Sequence, residues 1–432
     1  MSGLLAQTQI YLEGVSGRRP RVPIDERRLE RAARERMHAD AFAYVAAGAG
    51  NERTVLANRA AFDEWRIVPR MLRDVGQRDT TVELFGSRLP SPLLLGPIGV
   101  LELAHRQADA AVAGAARATG TPMVLSNQAS RPMEEVAQTL GPGPRWFQLY
   151  WSKSNELVHS MVARAERCGC EAIVVTLDTT LLGWRTRDLE RAYLPFLRGK
   201  GIAQYTSDPV FTRLISGERQ APPAQHPRPS LAALRVLLEL TRAYPAGFAS
   251  TLRSGIGRAA VQHFVDIYSR PTLTWEDLAF LRERTSLPIL LKGILHPDDA
   301  TLAVEAGMDG IIVSNHGGRQ VDGAIATLQA LPAVVAAVGG RVPVLMDSGI
   351  RSGADVFKAL ALGATAVLIG RPYVYGLALA GSAGVQAVIE NLNADFDLTM
   401  GLAGRRAIAE IDGESVVPGA PLPAPLGPAP VS

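Results

Sequence analysis

The segment IIVSNHGGRQ (311–320) sets an imidazole, a guanidinium and two glycines directly after an apolar run. His316 titrates near neutrality, so a ring nitrogen of its neutral form can take a proton. Arg319 follows three residues later, and Arg185 stands in a distant segment, GWRTRD. A base beside two guanidiniums suits an anionic substrate that gives up a proton, because a guanidinium pairs a carboxylate through two parallel hydrogen bonds. Tyr44 and Tyr150 could donate further hydrogen bonds to it. A second chemistry is written in DSGIRSG (347–353) and IGRP (369–372), where glycines alternate with Arg351 and Arg371. Backbone N–H groups approach a phosphate most closely where no Cβ intervenes, and arginine adds a forked cation. A phosphorylated ligand is therefore expected. No metal centre is expected, since His296 and His316 lack Asp, Glu or Cys at ligand spacing.

These residues need elements to aim them. Eight short apolar runs recur: 93–99, 123–127, 146–150, 172–178, 288–293, 310–315, 342–349 and 366–372. Strands apolar along most of their length are those covered on both faces, as in parallel sheets. Helical patterns lie between them. ADAAVAGAARATG ends on glycine, HPDDATLAVEAG opens on proline and two acids, and SGADVFKALALG is bracketed by serine and glycine. Eight strand–helix repeats predict an α/β fold, a (β/α)8 TIM barrel. Its chemistry belongs at the C-terminal strand ends. Those ends carry Gly99, Ser126, Gln148 with Tyr150, Thr176 with Asp178, and Lys292. The later ones carry His316 with Arg319, Asp347 with Arg351, and Gly370 with Arg371.

The rhythm breaks between 179 and 287, too long for a simple crossover. A lid insertion over about 186–275 is expected there, with APPAQHPRP (221–229) as a loop. Residues 1–90 read as a helical and hairpin-like extension packed on the barrel, 91–412 as the barrel with its lid, and 413–432 as a Pro-rich tail, of which 417–430 should be extended or disordered.

Composition excludes several classes. Of 432 residues, 47% are hydrophobic and 20% charged, ordinary for a globular protein. A net charge of +3 is too mild to argue for nucleic acid. The basic stretch 17–36 is interleaved with acids and reads as a solvated helix face. Cys168 and Cys170 have neither zinc-knuckle nor redox spacing and are expected to pack as small apolar side chains. No run nears the roughly 18 apolar residues of a membrane span. The N-terminus lacks a signal-peptide pattern. A cytoplasmic protein without membrane attachment is expected, forming a homotetramer or larger homo-oligomer.

The motifs FQLY, VTLDT, LKG, SNHGGRQ, DSGIRSGADVFKALALGA and IGRP occur in that order. Together they resemble the FMN-dependent L-2-hydroxy acid oxidase and dehydrogenase family, over about residues 25 to 412. Within it, GWRTRDLERAYLPFLRG followed by YTSDPVF looks most like lactate 2-monooxygenase. The resemblance implies FMN as cofactor and a small, lactate-like 2-hydroxy acid as substrate, with O2 as acceptor. It implies His316 as the base, with Asp178 orienting it and helping to charge it. Arg319 and Arg185 would hold the substrate carboxylate, with Tyr44 and Tyr150 completing the pocket. Lys292 would lie against flavin N1 and O2, and Pro97, Ile98 and Gly99 would pass N5. Ser126, Gln148, Thr176 and Ser314 would bond the flavin and ribityl chain. Asp347, Ser348, Gly349, Arg351, Gly370 and Arg371 would hold the ribityl and phosphate groups. Three outcomes remain open: oxidase, oxidatively decarboxylating monooxygenase, and dehydrogenase with another acceptor. A non-catalytic barrel binding a phosphorylated ligand is the alternative outside this class. In SNQASRP (126–132) the chain departs from the small-residue and Trp or Thr forms common in relatives, near the substrate mouth.

Overall fold

The computed structural model describes residues 2–217, 230–245 and 247–419. At its centre eight parallel strands close into a barrel. They are Leu93–Leu95, Met123–Leu125, Arg145–Leu149, Ile173–Thr176, Ile289–Ile294, Gly310–Val313, Val344–Met346 and Ala366–Ile369. Closure runs through the pairing of Leu368 with Leu94. Every expected run supplies a barrel strand, but most ladders stop before the run does. The first ends at Leu95, two residues before Pro97, which has no N–H to donate.

Alternation along the strands decides which side chains meet. Leu94, Val124, Trp146, Val174, Leu290, Ile312, Leu345 and Leu368 share one buried cluster inside the barrel. Side chains two residues apart on a strand share a face. The next inward layer is therefore Gly96, Ser126, Gln148, Thr176, Lys292, Ser314, Asp347 and Gly370. An apolar plug lies beneath a polar ring, and the ring stands at the C-terminal end.

The helices between strands follow the sequence cues. Ala108–Thr119 ends at Gly120 with φ 68°. Gly353–Ala361 begins with a capping box in which Ser352 and Asp355 each satisfy the other's N–H. Arg371–Leu402 kinks at Ala380 and Gly381. Among the described residues it is the one helix long and apolar enough to cross a membrane, and 67% of its most apolar window is buried on the barrel.

The N-terminal residues are structural parts of the barrel. The hairpin Val82–Leu84 and Ser87–Leu89 stops the lower mouth, with Leu84 and Leu89 in the inner cluster and Phe85 edge-on to Trp146. Helices Ala39–Ala46 and Arg53–Asp63 climb to the upper mouth. The stretch 17–36 contains the helix Glu26–Arg36, which buries Leu29 and Ala33 and leaves its arginines outward. Cys170 is buried and Cys168 half-buried, both as free thiols.

The chain past residue 412 stays attached to the body, because Val416–Pro418 pairs antiparallel with Trp65–Ile67. Residues 420–432 of the Pro-rich tail, and the loop 221–229, lie outside the described residues. The first part of the insertion is rooted in the body. Arg164, 3% exposed, pairs with the fully buried Asp208 at 3.1 Å and donates to Gln204 O at 2.7 Å. Tyr205 Oη donates to Asn127 Oδ1 at 2.7 Å. Buried charges persist where each is paired and hydrogen-bonded, and Ser160 Oγ completes this set by donating to Asp208 Oδ2 at 2.9 Å.

Candidate active site

A cleft opens above the polar ring. Pro97, Ile98, Gly99, Tyr150, Lys292, His316 and Asp347 to Arg351 line it, with Gly370 and Arg371. From the extension come Tyr44 and Val45, and from the insertion come Arg185 and Phe196. Of the residues singled out in the sequence, Ser126, Gln148, Thr176 and Ser314 lie in the ring beneath and do not line the cleft itself.

His316 stands immediately past the sixth barrel strand, in a left-handed conformation with φ 57°. Non-glycine residues are held there only when neighbours fix them. Its N–H donates to Ser314 Oγ at 3.1 Å. Its Nδ1 lies 2.7 Å from Asp178 Oδ1 and 3.2 Å from Thr179 Oγ1. Asp178 can come this close because it packs against Gly293, where a Cβ would lie 2.9 Å from Asp178 Cβ. Burial pushes the Asp178 carboxyl up, but His316 and Lys292 together outweigh it and hold the group down at about 2. Asp178 is therefore ionised and accepts from Nδ1–H, which leaves the lone pair on Nε2. Burial lowers the His316 pKa, and Lys292 and Arg185 add to this against the opposing pull of Asp178.

Lys292 is wholly buried. Its ammonium donates to Ser314 Oγ at 2.8 Å and pairs with Asp347 at 3.1 Å. Burial lowers its pKa, yet Asp347 and Asp178 prevail and raise it, so it stays charged. Tyr150 is pushed up by burial and then by Asp178, and remains a protonated donor.

The cations of the cleft outnumber its anions. Arg319 Nη1 donates to Tyr44 O at 2.8 Å and Ala47 O at 2.6 Å, and its guanidinium lies 5.1 Å from the Tyr44 ring centre. Burial, then the neighbouring Arg185, press its pKa down to about 9. Arg351 is lowered by burial and by Arg371, with Glu26 3.5 Å away as an ion pair. Arg371 donates to the carbonyls of Val45, Gly317 and Ala47 at 3.2, 3.0 and 2.9 Å. Its guanidinium thus stitches the extension to the His316 loop, a role the sequence reading did not include. Gly349, with φ 86°, is likewise explained by packing: a Cβ there would lie 2.3 Å from Asn58 O.

Sequence reasoning missed several residues. Leu182, Tyr268 and Val45 line the cleft outside every quoted motif, and Thr179, Phe196 and Gln128 line it from within VTLDT, GWRTRDLERAYLPFLRG and SNQASRP without having been assigned to the site. It also missed Asn58, 3% exposed, which exchanges amide hydrogen bonds with Asn315 at 2.8 and 2.7 Å. Asn315 Oδ1 in turn accepts from Gly318 N–H at 3.1 Å. This pair clamps the His316 loop to the extension. Asn58→Ala should cost about 1–3 kcal/mol, the usual penalty for stranding a buried amide. A lowered thermal midpoint is expected for the cofactor-loaded variant, and an unchanged midpoint would count against the clamp.

A family model described as FMN-dependent dehydrogenase matches residues 33–418. The chain belongs to the FMN-dependent dehydrogenase family. It is an FMN-dependent oxidoreductase. It is 41% identical over 399 residues to an L-lactate oxidase from Lysinibacillus sphaericus (strain C3-41), covering 92% of this chain and 94% of that one. It is 43% identical over 405 residues to the FMN-dependent alpha-hydroxy acid dehydrogenase qulF of Penicillium citrinum, covering 94% and 93%. The crystal structure of mandelate oxidase with (S)-4-hydroxymandelic acid superposes with a TM-score of 0.73 at 36% identity, covering 90% and 98%.

As a member of the FMN-dependent dehydrogenase family, the chain offers groups that fit this cofactor. Among the described residues, Gln148 Nε2 and Thr176 Oγ1 are buried without a hydrogen-bond partner. An unpaired buried polar atom is costly, so the ring calls for a ligand rich in donors and acceptors. Arg351 and Arg371, half-buried at the cleft, with Arg371 lowering the pKa of Arg351, suit an anion such as a phosphate. An isoalloxazine with a terminal phosphate meets both needs. Among the described residues no three His, Cys, Asp or Glu groups gather as a metal site.

Proposed function

We propose that the enzyme oxidises a small L-2-hydroxy acid to its 2-keto acid with O2 as acceptor: R–CHOH–COO⁻ + O2 → R–CO–COO⁻ + H2O2. The observation that carries this reading is one base, oriented by a carboxylate, sharing a cleft with two guanidiniums. FMN, when bound, supplies the two-electron acceptor beside that cleft. Arg319 and Arg185 hold the substrate carboxylate. His316 Nε2 takes the hydroxyl proton, and Asp178 stabilises the imidazolium that results. Lys292, Gln148, Thr176, Ser126 and Ser314 face the flavin ring and ribityl chain, with Pro97, Ile98 and Gly99 along its edge. Asp347, Ser348, Gly349, Arg351, Gly370 and Arg371 serve the ribityl and phosphate end. Tyr44 and Tyr150 donate to the bound acid.

The rooted insertion favours a second outcome of the same chemistry. Phe196 closes over the cleft beside Tyr44, with ring centres 6.5 Å apart. Retained keto acid and peroxide then give R–COO⁻ + CO2 + H2O, as in a lactate 2-monooxygenase. Product analysis after aerobic turnover decides the outcome. Keto acid with stoichiometric peroxide means oxidase, and the acid shortened by one carbon means monooxygenase. A rate independent of O2 but driven by an artificial acceptor would overturn the O2 assignment.

The depressed His316 pKa sets a pH dependence. The base must be neutral, and its pKa lies below the ordinary 6.5. Hence kcat/KM should rise with pH and level off, with the midpoint of its acid limb below 6.5. A midpoint above that value would contradict the assignment.

A further inference from the structure

We infer that the substrate's side chain carries a neutral hydrogen-bonding group, a hydroxyl or an amide, that pairs with the Gln128 amide. This rests on the proposed 2-hydroxy acid oxidation and narrows its substrate class.

The polar groups of the cleft sort by position. Those after the seventh and eighth strands belong to the phosphate end, and Lys292 with the ring beneath belongs to the flavin. His316, Tyr150, Thr179, Arg185 and Arg319 form the end that takes the acid. Gln128 is the amide that remains. It is 8% exposed and lines the cleft, and its side chain makes no hydrogen bond among the described residues. Its polar atoms are not enclosed by protein but reach the cleft, so a ligand that displaces water from this wall must offer the amide a partner or leave it unpaired.

The backbone fixes where this amide starts. Gln128 O accepts from Val100 N–H at 2.9 Å, and its own N–H donates to Ser126 Oγ at 3.1 Å. Gly99 packs against it so closely that a Cβ there would lie 2.9 Å from Gln128 Cβ. The amide thus projects from a pinned position. Phe196 stands nearby, since a Cβ on Gly201 would lie 3.0 Å from Gln128 O and 3.2 Å from a Phe196 ring carbon. A neutral amide beside such an aromatic wall selects for a polar group that it can pair. A charged group would need a counter-ion, which the neutral amide does not provide. A purely alkyl side chain would leave the amide unpaired, and a site built to hydrogen-bond discriminates strongly against the analogue that cannot.

The test uses the FMN-loaded enzyme and two matched pairs of L-2-hydroxy acids. Glycerate is set against lactate, and 2-hydroxyglutaramate against 2-hydroxy-5-methylhexanoate. Anaerobic bleaching of the flavin gives kcat/KM-type second-order rates for each. In at least one pair the polar acid should be favoured by about 10-fold or more. In Gln128→Leu that ratio should fall to about 1 or invert, and Gln128→Met provides an unbranched variant should the leucine disturb folding. A wild type that favours no polar member overturns the inference, as does a ratio that survives in both variants. Loss of FMN or a shifted flavin spectrum with the ratio intact would assign Gln128 to the cofactor and also overturn it. Bleaching by none of the four acids would instead sink the 2-hydroxy acid reading beneath it.

Discussion

His316→Gln is expected to slow anaerobic flavin reduction by the best 2-hydroxy acid at least about 10²-fold, while FMN and a keto-acid product still bind. A positioned general base contributes about 10²–10⁴-fold, and glutamine removes the base with little else. Its amide can still donate to Asp178, which now accepts from His316 Nδ1 at 2.7 Å. The N–H to Ser314 Oγ is a backbone bond and survives the change. Ionised Asp178 loses its cationic partner whenever the substrate proton would have arrived, so the deficit falls on the chemical step. Stopped-flow bleaching measures this directly. Reduction within a few-fold of wild type would remove His316 from the role of base.

Arg319→Lys should lower kcat/KM by about 10- to 10²-fold, since a hydrogen bond to a charged group is worth about 1.5–3 kcal/mol. Lysine keeps the charge but loses the planar fork that matches a carboxylate. It also loses the donors to Tyr44 O and Ala47 O, which hold the 44–47 segment at the cleft. The neutral amide of the same substrate separates the two effects. If Arg319 meets the carboxylate, the variant and wild type should differ far less on the amide than on the acid. An equal loss on both would mean that the residue serves only the segment.

The barrel, the base with its two arginines and the glycine-flanked arginines were legible in the chain. Polar residues at the ends of apolar runs, Thr176 and Lys292 among them, mark the mouth of the barrel in the chain itself. Which of them point inward follows from the barrel, where Val174, Leu290 and Ile312 lie in the inner cluster and Thr176, Lys292 and Ser314 stand two residues on. Strand order and the glycine-flanked arginines then locate the two ends of the cleft. These signals are local, so they survive without coordinates. The pairing of His316 with Asp178 spans 138 residues, and it came from resemblance, not from spacing. What only the tertiary structure decided are contacts made by elements far apart in the chain. Asn58 carries no motif, yet it clamps the loop of His316 from 257 residues away. Arg371 looked like a phosphate ligand and also stitches the extension to that loop. The insertion read as a lid, but a buried ion pair between Arg164 and Asp208 roots its first part. Phe196 and Gln128 reach the cleft because that root and the Gly99 contact hold them there. Burial is a property of the packed whole: it turns these ordinary side chains into a clamp, an anchor and a pocket wall.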